Sequence, residues 1–539
     1  MKRPLSACVL LLCSATLHAQ STSVGEVSFP NSGSPAAQSD FLRGLAQLHN
    51  FEYDDAATHF RRAQEIDPAF AMAYWGEAMT KNHGVWHEQD LNVARDVLQK
   101  LGPTPEARQS KVATPREKQY LSTIEILYGD GTKEERDQKY AAAMADLHKN
   151  YADDIDATAF YALAILSSAE NGRDFATYIR AAAVLEEVFP QHPQHPGVVH
   201  YLIHSYDDPI HAPLGLRAAR IYAQLAPEAG HAQHMTSHIF LAMGMWEDVV
   251  KANETAIAVV NRQRSAAGRP PRACGHYPYW LEYAYLQLGR IDDARRVLEA
   301  CRTEASRQAE RISRNASATA DPDSSSVGSY ADMRVNFLID SERWQDEVAR
   351  WTFPAGNYPS AQLILDYATA LAAYKTSNFA AAKEAREHMD DDARLARAWI
   401  DRHEPGDANA YSQIAIFVDQ IGALLYASNS NSPSSASPNS VPPQAIALLK
   451  STAEKERALP LEFGPPVINK PTDELLGELY LQLHRPAEAK SSFESELVRA
   501  PGRRLAQRGL TQADQQLASI EKPALAAKPS ATSADHHHH

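Results

Sequence analysis

The chain has 539 residues, of which 44% are hydrophobic and 22% are charged, and its net charge at pH 7 is −14. This acidic balance argues against nucleic acid as a partner, because nucleic-acid binding calls for a basic patch or stripe. The length alone predicts roughly three or four ordinary domains, but internal repeats override that count.

Residues 1–19 have the pattern of a secretory signal peptide. Lys2 and Arg3 precede an apolar run that ends near Leu12, and Ala19 offers a cleavage site. The run is shorter than the ~20 apolar residues that a spanning helix needs, and no later stretch approaches that length. We therefore expect a periplasmic or secreted protein without a membrane span, whose mature chain begins with a flexible segment at 20–38.

A repeat pattern begins soon after this segment. Gly44, Ala56, Phe60, Ala63 and Pro68 are separated by 12, 4, 3 and 5 residues. These spacings match the small, aromatic and proline positions of the roughly 34-residue tetratricopeptide repeat. A small residue is needed where two helices cross closely, an aromatic ring fills the next gap, and proline ends the second helix. The pattern therefore predicts a helical hairpin.

The same pattern returns near the C-terminus. It consists there of Leu476, Gly477, Tyr480, Ala489, Phe493 and Pro501. Weaker matches persist in between, and alternating β-branched runs typical of strands are essentially absent. We predict an all-α fold, a tetratricopeptide-repeat α-solenoid whose helical hairpins form a right-handed superhelix.

Two stretches interrupt the repeats. Residues 311–328 are rich in Ser, Ala and Asp, and residues 428–443 are almost wholly Ser, Asn and Pro. Neither composition buries enough apolar surface to order itself. We predict a solenoid over 39–427, a linker over 428–443, a C-terminal repeat cap over 444–521 and a disordered tail over 522–539, which ends in four tag-like histidines.

Two cysteines follow the predicted signal peptide, Cys274 and Cys301. They lie at the start and the end of one predicted helical hairpin, where the two ends meet in space. In an oxidising compartment they can form a disulfide that staples the hairpin. Two buried free thiols are the alternative.

Two histidine pairs carry the main functional signal. His200/His204 and His234/His238 each have i,i+4 spacing, which places both imidazoles of a pair on one helix face. The pairs lie 34 residues apart, so they occupy equivalent positions, 5 and 9, of neighbouring repeats. In tetratricopeptide proteins these positions line the concave groove. Because imidazole is the commonest metal-binding side chain, we predict that the four rings converge on a metal ion.

Other groove positions offer supporting residues. Asp207, His231 and His276 are predicted to be additional ligands or to orient the ligands. His83 is a further candidate, although it follows a helix about three repeats away on the repeat spacing and an ordinary loop histidine is the competing interpretation. Tyr279 and Tyr283 are predicted to line the groove. Zinc or copper suits such an imidazole set, and iron would be favoured if the carboxylate joined as a ligand.

Two loops near these helices are less informative. His192 and His195 lie in a proline-marked turn before the first pair, where we expect them to be solvated. Glu462 lies on a proline-rich loop, and it either points into the groove or packs the C-terminal cap.

Several segments resemble a known family. They are Ala-Met-Ala-Tyr-Trp-Gly-Glu-Ala-Met at 71–79, His-Pro-Gly-Val-Val-His-Tyr-Leu-Ile-His-Ser-Tyr-Asp at 195–207, Gly-His-Ala-Gln-His-Met-Thr-Ser-His-Ile-Phe at 230–240 and Phe-Gly-Pro-Pro at 463–466. They resemble large bacterial exported tetratricopeptide-repeat proteins, over nearly the whole mature chain. The resemblance implies a repeat fold and export, and it assigns no reaction. Where that family commonly has Met-Pro-Ser-His, this chain has Thr236, which leaves the register of His238 intact.

The sequence contains no nucleophile elbow, phosphate loop, dinucleotide fingerprint or His-Glu-x-x-His motif. Our leading hypothesis is an exported solenoid with a His-rich metal site in its concave groove, in which the metal either is structural or supports hydrolysis or oxidation. The alternative is a metal-free scaffold that binds a peptide, protein or small molecule in the same groove, with the histidines as hydrogen-bonding groups. Whether the protein is an enzyme stays open.

Overall fold

The computed structural model describes residues 24–169, 172–314, 325–355, 358–403, 406–428, 442–461 and 463–526. The predicted signal peptide, Glu462, nearly all of the predicted linker and most of the predicted tail lie outside these residues.

Helices form most of the described chain, and the predicted all-α fold is confirmed. The helices are α1 (Gln38–His49), α2 (Tyr53–Ile66), α3 (Ala71–Met79), α4 (Leu91–Leu101), α5 (Pro105–Gln109), α6 (Pro115–Leu127), α7 (Lys133–Asn150), α8 (Ile155–Ser167), α9 (Phe175–Val188), α10 (Pro196–Tyr206), α11 (Ala212–Leu225), α12 (Gly230–Ala242), α13 (Trp246–Ala266), α14 (His276–Gln287), α15 (Ile291–Arg314), α16 (Ser326–Ser341), α17 (Pro359–Lys375), α18 (Phe379–His403), α19 (Ala408–Ser428), α20 (Pro443–Ala458), α21 (Thr472–Gln482), α22 (Pro486–Arg499) and α23 (Arg504–Ala526). Two short antiparallel strands, β1 (Asn82–His83) and β2 (Glu88–Gln89), follow α3.

Nearly every helix packs against the next one in the chain, as expected for an array of helical hairpins. Helices two apart in the chain also pack, for example α8 with α10 and α10 with α12. Several helices begin at a capping side chain. The side chain of Asp154 accepts a hydrogen bond from the N–H of Ala157 at the start of α8, and Thr132 forms a capping box at the start of α7. The molecule is an α-solenoid of the tetratricopeptide type.

Close helix crossings explain the small residues of the repeat pattern. A Cβ atom added at Gly477 would lie 2.7 Å from Cζ of Phe493, and one added at Gly44 would lie 3.1 Å from Cδ1 of Phe60. The glycine of each hairpin thus makes room for the aromatic ring of the same hairpin. Both residue pairs were predicted from the consensus spacing.

We expect Gly477→Ala to lower the free energy of unfolding by up to about 2 kcal/mol, because overpacking costs about 1–3 kcal/mol and alanine recovers at most about 1 kcal/mol of helix propensity. Gly422 is a matched control, since it is also inside a helix but a Cβ there would meet only Leu448, at 3.8 Å. Gly422→Ala is expected to stabilise the protein by about 0.5–1 kcal/mol. Urea unfolding measures both changes, and equal signs for the two variants would contradict this packing account.

The two ends of the described chain fold back onto its middle. At the N-terminal end, α1 contacts α10. At the C-terminal end, Nε of Arg504 donates to the carbonyl oxygen of Leu286 at 3.2 Å, and Nε1 of Trp246 donates to the carbonyl oxygen of Gly502 at 3.0 Å. The helices of the predicted C-terminal cap therefore lie against α13 and α14, rather than continuing the array away from them.

The N-terminal segment differs from the expected flexible leader. Phe29 is 3% exposed and lies with its ring 5.4 Å from that of Phe41 and 5.1 Å from that of Tyr120. Packing of this aromatic side chain outweighs the polar composition around it. At the other end, α23 extends to Ala526, five residues into the predicted tail that begins at 522.

Cys274 and Cys301 form a disulfide, which is the first of the two alternatives expected from the sequence. Both residues are fully buried, and their Cα atoms are 4.3 Å apart. The bond joins the segment before α14 to α15.

Among the described helices, none is long and apolar enough to cross a bilayer.

Candidate metal centre

The two histidine pairs lie on α10 and α12, two neighbouring helices of the solenoid. The ring centroids of His200 and His204 are 4.8 Å apart, and those of His234 and His238 are 4.9 Å apart. Each pair therefore shares one helix face, as the i,i+4 spacing predicts. All four side chains are buried, with exposures between 0% and 2%.

These rings belong to two groups of three rather than to one group of four. The first triad is His200, His204 and His231, and the second triad is His234, His238 and His276. Within each triad, one nitrogen of every ring lies within 4.8 Å of the others. We call the six residues together the histidine centre.

This grouping differs from the predicted set of four, which stays a prediction. The rings of His204 and His238 have centroids 6.0 Å apart. The pair on α10 is joined by His231 at the start of α12, and the pair on α12 is joined by His276 at the start of α14. His231 and His276, expected as supporting residues, thus stand among the possible ligands.

Hydrogen bonds define the proton positions in the second triad. Nδ1 of His234 donates to Oδ1 of Asn253 at 2.7 Å, because the amide nitrogen of Asn253 donates elsewhere, to the carbonyl of Val249. Nδ1 of His238 donates to Oδ2 of Asp207 at 2.6 Å. Both rings therefore carry their proton on Nδ1. Their Nε2 lone pairs face each other at 3.1 Å.

In the first triad, Nδ1 of His200 donates to the backbone carbonyl of His49 at 2.6 Å, which leaves its Nε2 unprotonated. This Nε2 lies 3.2 Å from Nε2 of His231. The contact is an ordinary hydrogen bond if His231 carries its proton on Nε2. Nε2 of His204 is buried and has no hydrogen-bond partner.

Several imidazoles of the centre are held in the neutral form, which is the form that binds metal ions. Burial, reinforced by the neighbouring imidazoles, holds the pKa well below its ordinary value in four rings: His200, His204, His231 and His234. Protonation of these four rings is therefore disfavoured at neutral pH.

Aromatic rings enclose the centre. The Phe51 ring lies 4.4 Å from that of His200, and Trp280 and Phe463 lie 4.5 Å and 5.1 Å from that of His238. His231 is half-buried and His276 is exposed, so the centre meets solvent at these two rings. Asp207 also lines an adjoining cavity of about 60 Å³. The chain's own segments thus fill most of the face that the sequence predicted to be an open groove.

The remaining predicted residues lie outside the two triads. The hydroxyl of Tyr283 accepts a hydrogen bond from Arg503 at 3.1 Å, and Tyr283 lines the cavity beside Asp207. Tyr279 is half-buried on the same helix. His83 stacks on Tyr53 at 4.1 Å, and its Nδ1 lies 3.3 Å from Oε2 of Glu88. The polar partner of the His83 ring is therefore a carboxylate on the facing strand.

A third cluster escaped the sequence analysis. Oδ1 of Asp156 lies 2.9 Å from Nε2 of His49 and 3.3 Å from Nε2 of His195. Nδ1 of His49 accepts from the hydroxyl of Tyr201, and Nδ1 of His195 accepts from the N–H of Val198. Every ring nitrogen of this cluster has a partner.

The third cluster therefore needs no ion, although its atoms lie close enough to hold one. Burial lowers the pKa of His49, while the two imidazoles hold the pKa of Asp156 well below its usual range against the opposing effect of burial. His195, expected to be solvated, instead caps α10. His49 stands at position 13 of the first repeat, a groove position that counting from Gly44 would have shown.

No protein-family model matches the chain, and no curated protein sequence matches it. Among solved structures, yeast Tom70 is 12% identical with a TM-score of 0.32, over 91% of this chain and 98% of that chain. The chain matched in the Cut9–Hcn1 hetero-tetramer is 10% identical with a TM-score of 0.33, over 90% of this chain and 78% of that chain. The tetratricopeptide domain of P58(IPK) is 12% identical with a TM-score of 0.20, over 90% and 99%.

Proposed function

We propose that the protein is an exported α-solenoid that binds a divalent transition-metal ion through His234, His238 and His276. The carrying observation is the pair of facing Nε2 lone pairs, 3.1 Å apart, on rings whose Nδ1 protons are committed to Asp207 and Asn253. Two unprotonated nitrogens at this distance repel unless a proton or a metal ion lies between them. In a tetrahedral site with bonds of about 2.0–2.1 Å, two ligand nitrogens lie about 3.3 Å apart, close to the spacing found here.

The ligand chemistry supports zinc or copper. Imidazole suits both ions, whereas iron sites commonly include a carboxylate ligand. Asp207 contacts Nδ1 of His238, on the side of the ring away from Nε2. A carboxylate in this place orients a ligating histidine and increases its basicity.

Export is part of the same proposal. It is based on the signal-like pattern of residues 1–19 and on the resemblance to exported repeat proteins. The disulfide between Cys274 and Cys301 supports it, because disulfides persist mainly in oxidising compartments.

Three imidazoles would leave a coordination position for water or a substrate, and zinc lowers the pKa of a bound water to about 7. The chain's own groups would hold the ligands and limit the access of water. Asp207 fixes the tautomer of His238, Trp280 and Phe463 cover that ring, and the exposed side of His276 offers a path from solvent. Hydrolysis and metal-based oxidation are the two reaction classes to be assayed.

The solenoid fold is also consistent with protein binding, and a metal-free scaffold for a peptide, a protein or a small molecule is the alternative function. At the histidine centre such a ligand would have to displace Phe51 and Phe463, which already cover the rings. The alternative predicts a protein without metal whose groove opens when a partner binds.

Metal content separates the two functions. The full chain, with the histidines at 536–539 replaced by serine, is loaded with zinc, desalted and subjected to elemental analysis. We expect at least one zinc ion per chain, and we expect His234→Ala to lose one equivalent because it removes a ligand. His192→Ala is the control, since His192 is exposed and outside all clusters. A wild-type chain without near-stoichiometric zinc, or a His234→Ala variant with unchanged content, would contradict the proposal.

A further inference from the structure

The second triad has a counterpart one repeat earlier. Its His234 and His238 occupy positions 5 and 9 of α12, and His276 occupies position 2 of the next repeat. His200 and His204 occupy positions 5 and 9 of α10, and His231 occupies position 2 of the following repeat. The first triad is thus built by the same rule, so each triad joins two neighbouring repeats.

We propose that His200, His204 and His231 form a second metal site, so that the chain holds two imidazole-bound zinc or copper ions in adjacent repeats. This inference goes beyond the proposed function. It rests on the proposed function only for the ion at His234, His238 and His276. In each triad, one nitrogen of every ring lies within 4.8 Å of a nitrogen of the other two rings.

The strongest support comes from His204. Its side chain is 1% exposed, and its Nε2 is buried without a hydrogen-bond partner. A buried polar atom without a partner destabilises the folded protein, so such atoms are rare unless an ion or a water completes them. An ion shared with His200 and His231 would supply the missing partner.

The orientation of His200 supports the same site. A backbone carbonyl can only accept a hydrogen bond, so the 2.6 Å contact with the carbonyl of His49 places the His200 proton on Nδ1. The free Nε2 then points at Nε2 of His231, 3.2 Å away. The backbone N–H of His231 donates to Oε1 of Glu52 at 3.0 Å, which holds the start of α12 in place. The ring of His200 is therefore oriented by a group outside the triad, and the helix start that carries His231 is held in place.

The two sites would be close neighbours. The ring of His204 lies 6.0 Å from that of His238, and the ring of His231 lies 6.3 Å from that of His234. Both sites reach solvent at their third ligand, because His231 is half-buried and His276 is exposed. The two sites would form a two-ion centre whose solvent-facing side consists of His231 and His276.

Zinc stoichiometry tests the inference on the full chain with residues 536–539 changed to serine. Equilibrium dialysis is expected to give two zinc ions per chain for the wild type, one for His204→Ala, one for His234→Ala and none for the double variant. His231→Ala, which changes a half-buried ring, repeats the test of the first site if His204→Ala does not fold. Circular dichroism and the melting temperature confirm that each variant is folded.

Three other outcomes have a definite meaning. One zinc ion in the wild type that persists in His204→Ala overturns the second site and leaves the proposed function intact. One zinc ion that is lost in either single variant means a single site shared by both pairs, and this too overturns the inference. No zinc in the wild type contradicts both proposals.

Discussion

Replacing Arg503 by methionine is expected to lower the free energy of unfolding by about 3–5 kcal/mol, because it removes a buried cation that the carboxylates of Glu474 and Asp340 share. The guanidinium is 0% exposed. Its Nε donates to Oε2 of Glu474 at 2.7 Å, and one terminal nitrogen lies 3.0 Å from Oδ1 of Asp340. Because Tyr283 also accepts a hydrogen bond from it, this one side chain joins the start of α23 to α14, α16 and α21.

Arg508→Met is the matched control, five residues further along α23. Its ion pair with Glu342 is exposed, with side-chain exposures of 44% and 38%. Exposed pairs contribute about 0–1 kcal/mol, so this variant should change little. Urea unfolding followed by tryptophan fluorescence measures both variants. A loss below about 1 kcal/mol for Arg503→Met would mean that the cap does not depend on this ion cluster.

Asp207→Asn is expected to weaken zinc binding at the second triad by about 10–100-fold without removing a ligand, as for other changes of the group behind a metal-bound histidine. The asparagine side chain still offers an oxygen to Nδ1 of His238, but the negative charge behind the ring is lost. A competition titration against a chromophoric zinc chelator measures the affinity.

Asp156→Asn provides the control for this measurement. Asp156 is also a buried aspartate that contacts two imidazoles, of His49 and His195, but it lies in the cluster whose nitrogens all have partners. We expect its substitution to reduce stability and to leave zinc affinity unchanged. If both variants bind zinc as the wild type does, Asp207 has no role in orienting a ligand.

Local periodicity was sufficient to predict the fold. The glycine–aromatic pairs Gly44/Phe60 and Gly477/Phe493 identified two hairpins, because a close helix crossing imposes the same residue types wherever it occurs. The i,i+4 histidines were predicted to share a helix face for the same reason.

The grouping of the histidines was not predictable in this way. It depends on how far apart neighbouring helices pack. It also depends on the histidine at position 2 of one repeat lying beside the histidines at positions 5 and 9 of the preceding repeat. The groups behind the rings were also missed, since Asn253 lies on a second helix and His49 is 151 residues from His200. These contacts arise from the packing of α12 with α13 and of α1 with α10, which repeat spacing does not encode.

The long-range contacts have a consequence for how the molecule unfolds. In an open repeat array each unit touches only its neighbours, so that the ends fray first and unfolding spreads along the chain. Here α1 is bound to α10 through the carbonyl of His49, and α23 is bound to α14 through Arg503 and Arg504. Loss of either terminal helix therefore exposes the middle of the solenoid, and this architecture favours a cooperative, all-or-none transition in which the metal centre and both chain ends lose structure together.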